Sequence, residues 1–145
     1  MKICLVCSHG GHLTEMLHLM DAFEGNETFF ITYEGLRADL KDKYLLKNIG
    51  KSPIRMLLSV PKIARILLKE KPDMIISTGS EIAIPVFYIA KVLMIKTVFI
   101  ESWCRVSEPS ASGRIVYPVS DLFLVQWEQL LKKYGKKAIY RGAVF

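Results

Sequence analysis

Four short polar clusters interrupt a chain of 145 residues that is otherwise rich in apolar runs, and each cluster carries residue types that can do chemistry. They are Ser8-His9-Gly10-Gly11-His12, Ser77-Thr78-Gly79-Ser80-Glu81, Glu101-Ser102-Trp103-Cys104-Arg105 and Gln126-Trp127. Two glycines ahead of a helix let the backbone approach a phosphate closely, while the helix start directs free N–H groups and a positive dipole end at it. A tight turn with no ligand is the other reading of Gly10-Gly11. The spacing is not the G-x-G-x-x-G dinucleotide fingerprint, so no nicotinamide or flavin cofactor is expected. His12 falls where the positive helix end opposes a charge on the ring, which suits a general base. His9 shares the turn, and an ordinary surface histidine is the alternative for either. Arg105 and Arg114 suit bidentate contact with phosphate, with Ser107, Ser110 and Ser112 as small neighbours that let a loop fold over a ligand. A flexible crossover with surface arginines fits the same residues. Glu101 stands at the end of an apolar run, placed to bind a sugar hydroxyl, assist a base or neutralise Arg105, and Glu81 has similar options. Cys4-x-x-Cys7 with His9 and His12 invites zinc, but strand alternation sends the two cysteines to opposite faces, so no metal is expected.

These residues need a scaffold, and the hydrophobic pattern describes one. A strand over Lys2 to Cys7 enters the first glycine turn, after which Leu13, Met16, Leu17 and Met20 recur at helical spacing. A second strand is expected over Glu27 to Tyr33, followed by a mixed charged segment that fits no template. Ser59 can cap a helix with Pro61 in its first turn, running to about Lys71. Strands are then expected at Met74 to Ser77, Thr97 to Glu101, Leu122 to Gln126 and near Ala138 to Tyr140. Helices are expected at about Ile82 to Leu93, Arg114 to Pro118 and Glu128 to Tyr134. Alternating helices and nearly continuous apolar strands predict one α/β, Rossmann-like domain, a parallel sheet with helices on both faces. In such sheets ligands bind beyond the carboxyl ends of the strands, where all four clusters fall, so they belong to one site.

The charge is uneven. With 20 Lys+Arg and 14 Asp+Glu the chain is formally +6, but Leu36 to Pro72 alone carries ten basic residues and three acids, a local +7. Within it Arg55, Lys62, Arg65 and Lys69 lie beside Ile54, Met56, Leu57 and Leu58, a pattern that suits a solvated helix face or an anionic membrane surface. Nucleic-acid binding is disfavoured because no aromatic platform interleaves the basic residues. Three cysteines, and no signal-peptide pattern before the first apolar run, suggest a reducing, cytoplasmic setting. The most apolar stretch, Ile82 to Ile100, contains Pro85, Lys91 and Lys96 and reads as a helix followed by a strand, not a transmembrane span.

Several ordered motifs together are more specific than any one. Ser8 to His12 with Glu15-Met16, Ser77-Thr78-Gly79 with Pro85 and Ala90-Lys91, Ile100-Glu101-Ser102 with Arg105-Val106, and Ser112-Gly113-Arg114 through Asp121 to Gln126-Trp127 resemble the Alg-fourteen/PssD family of oligosaccharide and polysaccharide biosynthesis. That family is related to the amino-terminal half of MurG. The resemblance implies the acceptor-binding half of a GT-B glycosyltransferase, peripheral on the cytoplasmic face of the membrane. Its partner would be an Alg-thirteen/PssE-type subunit that binds the UDP-sugar, and its acceptor a polyprenyl-phosphate-linked one. In that picture His12 deprotonates the acceptor hydroxyl, and Glu101 orients the hydroxyl or the histidine. Ser8, His9, Gly10, Gly11, Thr78, Gly79, Glu81, Arg105 and Arg114 would hold substrate or its phosphates, and Arg55, Lys62, Arg65 and Lys69 would contact the membrane. A non-catalytic scaffold that recruits the catalytic partner and a stand-alone nucleotide-binding domain are the competing readings.

Overall fold

The computed structural model describes residues 1–35 and 39–145. Arg37, one of the ten basic residues counted above, lies outside them. The strands are β1 (Lys2–Cys7), β2 (Glu27–Tyr33), β3 (Lys43–Leu46), β4 (Met74–Gly79), β5 (Lys96–Ile100), β6 (Leu122–Val125) and β7 (Ala138–Tyr140). The helices are α1 (Gly11–His18), α2 (Pro53–Glu70), α3 (Ala83–Val92), α4 (Ala111–Val116) and α5 (Leu131–Tyr134). The strands form one sheet in the order β3-β2-β1-β4-β5-β6-β7, and every pairing is parallel. A parallel sheet needs cover on both faces, which explains the apolar density of its central strands. Cys4, Val6, Phe29, Ile31, Ile75 and Phe99 turn to the face covered by α2, α3 and α4, whereas Ile3, Leu5, Cys7, Phe30 and Ile76 meet Leu13 and Met16 of α1 on the other. The two cysteines of the first strand therefore lie in separate cores and cannot share a ligand, and burial pushes the Cys7 thiol up to about 12.

Three elements differ from the sequence expectation. α2 starts at Pro53, not near Ser59: Ser52 caps it by accepting from the Arg55 N–H at 3.3 Å, and Pro53 fills the first helical position. Ser59 is inside the helix and donates to the Met56 carbonyl at 2.6 Å. Pro61 also lies inside, tolerated because the carbonyl it leaves without a partner belongs to exposed Leu57. α4 begins at Ala111 under a Ser110 cap, so Arg114 is on its body and not at its start. The unassigned charged segment contains β3, an edge strand of four residues, too short for a periodic signal.

Candidate functional site

β1 and β4 are neighbours, but the chain leaves β1 for α1 on one face and β4 for α3 on the other. This divergence opens a crevice at the carboxyl ends of the two strands, the topological switch point of an α/β sheet. There the pairing steps from Val6 opposite Ser77 to Cys7 opposite Gly79, so Thr78 is skipped. The displaced Thr78 clamps His12 from both sides. Its carbonyl accepts from His12 Nδ1 at 3.0 Å, and its hydroxyl donates to the His12 carbonyl at 2.6 Å. Because a carbonyl only accepts, Nδ1 carries the hydrogen and Nε2 is the ring position left to take a proton. Gly79 closes against the same ring: a Cβ there would lie 2.9 Å from His12 Cε1, and its φ of +121° is one that side-chain-bearing residues rarely adopt. Thr78 and Gly79 thus fix the His12 ring and do not themselves line the cleft.

His12 lines a cleft of about 870 Å³ together with Gly11, Glu81 and Arg105, four of the residues singled out from the sequence. α1 has no side-chain cap, which leaves the N–H groups of its first turn facing the glycine turn, as an anion site requires. Arg105 is exposed, and Lys51 joins it on the cleft wall. Glu81 accepts from Tyr33 Oη at 3.0 Å and from Ser80 Oγ at 2.7 Å, which fixes its carboxylate at the cleft wall. Burial, followed by the Glu81 charge, raises the Tyr33 hydroxyl well above its ordinary value, so it stays a donor. Ser8, His9 and Gly10 flank the cleft through the turn without lining it, and the exposed His9 ring stands 6.5 Å from Tyr33.

Two sequence-predicted residues have other tasks. Glu101 is 1% exposed and does not line the cleft. Its carboxylate accepts from the Ser102 N–H at 2.9 Å, the Ser110 N–H at 3.0 Å, Ser110 Oγ at 2.9 Å and the Tyr134 hydroxyl. Gly113 packs on this hub, where a Cβ would come within 2.6 Å of Glu101 Oε2. Glu101 therefore ties down the two ends of the 102–110 loop and has no free oxygen edge for a substrate or for His12. Arg114 does not line the cleft; its exposed side chain lies 3.8 Å from Glu108, whose carboxylate Lys133 also reaches at 3.0 Å. The types of both residues suit the site, but packing directs neither of them into the cleft wall.

A second acid lines the cleft beside Glu81: Glu15, one helical turn beyond His12 on the same face of α1. Nearly buried at 3% exposure, it accepts from the Trp103 N–H at 2.9 Å, Ser102 Oγ at 3.1 Å and Gln126 Nε2 at 3.4 Å. The spacing of three from His12 was the available sequence signal. Burial raises the Glu15 carboxyl above its ordinary value, outweighing the hydrogen bonds and the His12 charge that lower it. The folded state then binds this proton more tightly than the unfolded chain. Its contribution to stability is full below the unfolded-state pKa and is lost as pH rises through the folded one. Glu15→Gln should accordingly flatten the fall in stability as pH rises above the ordinary carboxylate range, measured by urea denaturation at a series of pH values. An unchanged pH profile would remove Glu15 as the source.

α2 presents two adjacent solvent-facing stripes. At about 100° per residue, Arg55, Lys62, Arg65 and Lys69 share one, with Leu58 among them, while Ile54 and Leu57 lie to one side; these three apolar residues are between 71% and 74% exposed. Lys62 donates to the Leu45 carbonyl at 2.6 Å and Lys69 lies over the Tyr44 ring, while Arg55 and Arg65 are exposed. Among the described residues no helix is long and apolar enough to cross a membrane.

A parallel sheet of this order with a histidine-bearing, phosphate-compatible crevice at its switch point defines a Rossmann-like domain of the GT-B kind. The backbone superposes on MurG of Acinetobacter baumannii with a TM-score of 0.81 at 15% identity, covering 99% of this chain and 45% of that enzyme. It superposes on a UDP-GlcNAc 2-epimerase of Methanocaldococcus jannaschii with a TM-score of 0.79 at 16% identity, covering 99% of this chain and 47% of the other. At the level of sequence, residues 41–144 match the family described as oligosaccharide biosynthesis protein Alg14 like. The human UDP-N-acetylglucosamine transferase subunit ALG14 is 30% identical over 184 aligned residues, covering 99% of this chain and 83% of the human one. The chain belongs to the Alg14-like family, and its class is that of glycosyltransferase subunits.

Proposed function

We propose that this chain is the acceptor-binding and membrane-recruiting subunit of a two-chain inverting glycosyltransferase. It moves a sugar, GlcNAc or another hexose-type unit, from a UDP donor to a polyprenyl-phosphate- or diphosphate-linked acceptor. The observation that carries this reading is the unoccupied Nε2 of His12, in a cleft that also presents the uncapped start of α1, Lys51 and Arg105. The acceptor hydroxyl gives its proton to Nε2 as its oxygen bonds to the anomeric carbon, and the bond from that carbon to UDP breaks. The first turn of α1, with Arg105 and Lys51, holds the acceptor phosphates, and Glu81 takes a sugar hydroxyl. An Alg-thirteen/PssE-type partner supplies the donor across the cleft, since one Rossmann-like domain is half of a GT-B pair. Co-expression with such a partner should give transfer from UDP-GlcNAc to a prenyl-diphosphate-linked sugar, with little or none from either chain alone. Full activity of the partner by itself on a soluble acceptor would favour the scaffold reading instead.

The stripes on α2 support attachment to the cytoplasmic face of the membrane, the basic residues meeting anionic headgroups while Ile54, Leu57 and Leu58 enter the interface. A basic residue near an anionic surface contributes about 1 kcal/mol, so reversing Lys62, Arg65 and Lys69 to Glu should weaken liposome binding roughly 100-fold or more. Cosedimentation with anionic vesicles measures this. Undiminished binding would make the stripe an ordinary solvated face.

A further inference from the structure

α2 and α3 both begin at the cleft and run away from it side by side, because each follows the carboxyl-end rim of the same parallel sheet. Between them lies a groove of about 370 Å³, walled by Met56, Leu57 and Val60 on α2 and by Ile84, Ile89 and Val92 on α3. These positions recur at helical spacing on both helices, so the groove runs along the seam where their two apolar faces meet. The one hydroxyl on the walls, that of Tyr88, donates to the Ile115 carbonyl at 2.9 Å and is not free to bind a ligand as a donor. Pro53, Met56 and Ile84 line the cleft as well as the groove, so the two spaces adjoin at these residues. At the far end Val92 is 80% exposed, and Met94 beyond it is also exposed, giving the groove an apolar outlet on the side of α2 that carries Leu57.

Two adjoining spaces, one presenting Lys51, Arg105 and the uncapped start of α1 and the other walled by apolar side chains, fit an amphiphile with an anionic head and a hydrocarbon tail. We infer that the groove between α2 and α3 holds the first part of the acceptor's hydrocarbon chain, entering past Met56 and Ile84 and leaving by Val92 towards the bilayer. The inference rests on the acceptor-binding reading above and adds where the lipid runs and that the chain itself is recognised. A helix of a partner protein is a poorer fit. At about 10 Å across it would need roughly 850 Å³ for two turns, more than twice the groove.

The test uses the reconstituted two-chain enzyme in detergent micelles, with two acceptors that share one sugar-diphosphate head and differ in carrying a short or a long prenyl chain. The expected result is a KM at least about tenfold lower for the long chain, since burial of a few methylenes in an apolar site is worth that much. Val60→Trp, which fills the groove, should bring the ratio of the two KM values close to one. Val92→Asp, at a position exposed enough to leave folding unaffected, should do the same by charging the outlet. A ratio unchanged in both variants, or equal use of both acceptors by the wild type, overturns the groove while the acceptor-binding reading stands. Loss of subunit assembly in Val60→Trp with the ratio intact in Val92→Asp overturns it in favour of a partner surface. Failure of the wild-type enzyme to use either acceptor overturns the acceptor-binding reading and the groove with it.

Discussion

His12→Ala in the reconstituted two-chain enzyme is expected to lower kcat by about 10²–10⁴-fold while the KM for acceptor changes little, the pattern of a lost general base. The size of the effect follows from how completely the ring is committed. Thr78 accepts from Nδ1 and donates back to the His12 carbonyl, and Gly79 closes on the ring, so the imidazole of this cleft-lining residue is held in one tautomer and orientation. A side chain clamped in this way without a proton to move would be costly to explain as packing alone, because the ring also lines open cleft and not core. His12→Gln keeps a polar side chain at the position but cannot take a proton there, and should fall as far as alanine. Steady-state assays of both variants decide the matter. Wild-type kcat in either one removes the base assignment and leaves the cleft as a binding site only.

Glu101→Ala should act on stability more than on chemistry, costing about 3–5 kcal/mol, because a carboxylate in the interior is the only partner given to several buried donors at once. Removing it orphans the Ser102 and Ser110 N–H groups and the Tyr134 hydroxyl, none of which can turn to water without unpacking the loop. For a chain of this length that corresponds to a fall in Tm of roughly 10–16 °C, read by thermal denaturation. The Tyr134 hydroxyl is held well above its ordinary value, chiefly by burial and next by the Glu101 charge, so it remains a donor to the carboxylate across the working pH range. An unaltered Tm with activity lost would return Glu101 to the catalytic role that its position at the end of β5 suggests.

The contrast between Glu15 and Glu101 marks where sequence reading stops. Both are acids within reach of the same rim, and Glu101 has the more conspicuous position, directly after an apolar strand. The orientation of each side chain depends on what the 102–110 loop does after it leaves the sheet. That loop folds back so that Ser110 caps α4 and meets Glu101, while Ser102 and Trp103 meet Glu15. Arg114 suits a phosphate by its chemistry, but α4 starts at Ala111 and leaves the side chain near Glu108, outside the cleft lining. Ser59 with Pro61 satisfies the local rule for a helix start. Ser52-Pro53 satisfies it seven residues earlier, where Ser52 accepts from the Arg55 N–H and α2 begins.

Local patterns in the chain determined a great deal by themselves. Apolar runs, glycine turns and helical spacing specify the parallel α/β domain, the glycine turn ahead of His12 and the gathering of polar clusters on one rim, since each depends on neighbours within a few residues. The basic and apolar stripes of α2 follow from helical geometry in the same way. What only the tertiary structure decided were choices between residues of like chemistry. The strand register that skips Thr78 and turns it onto His12, the second acid that lines the cleft, and the groove formed where α2 meets α3 are contacts between segments far apart in the chain. Periodicity says which face of an element is apolar, but the partner of that face, and the direction of a single polar side chain, are set by packing across the fold.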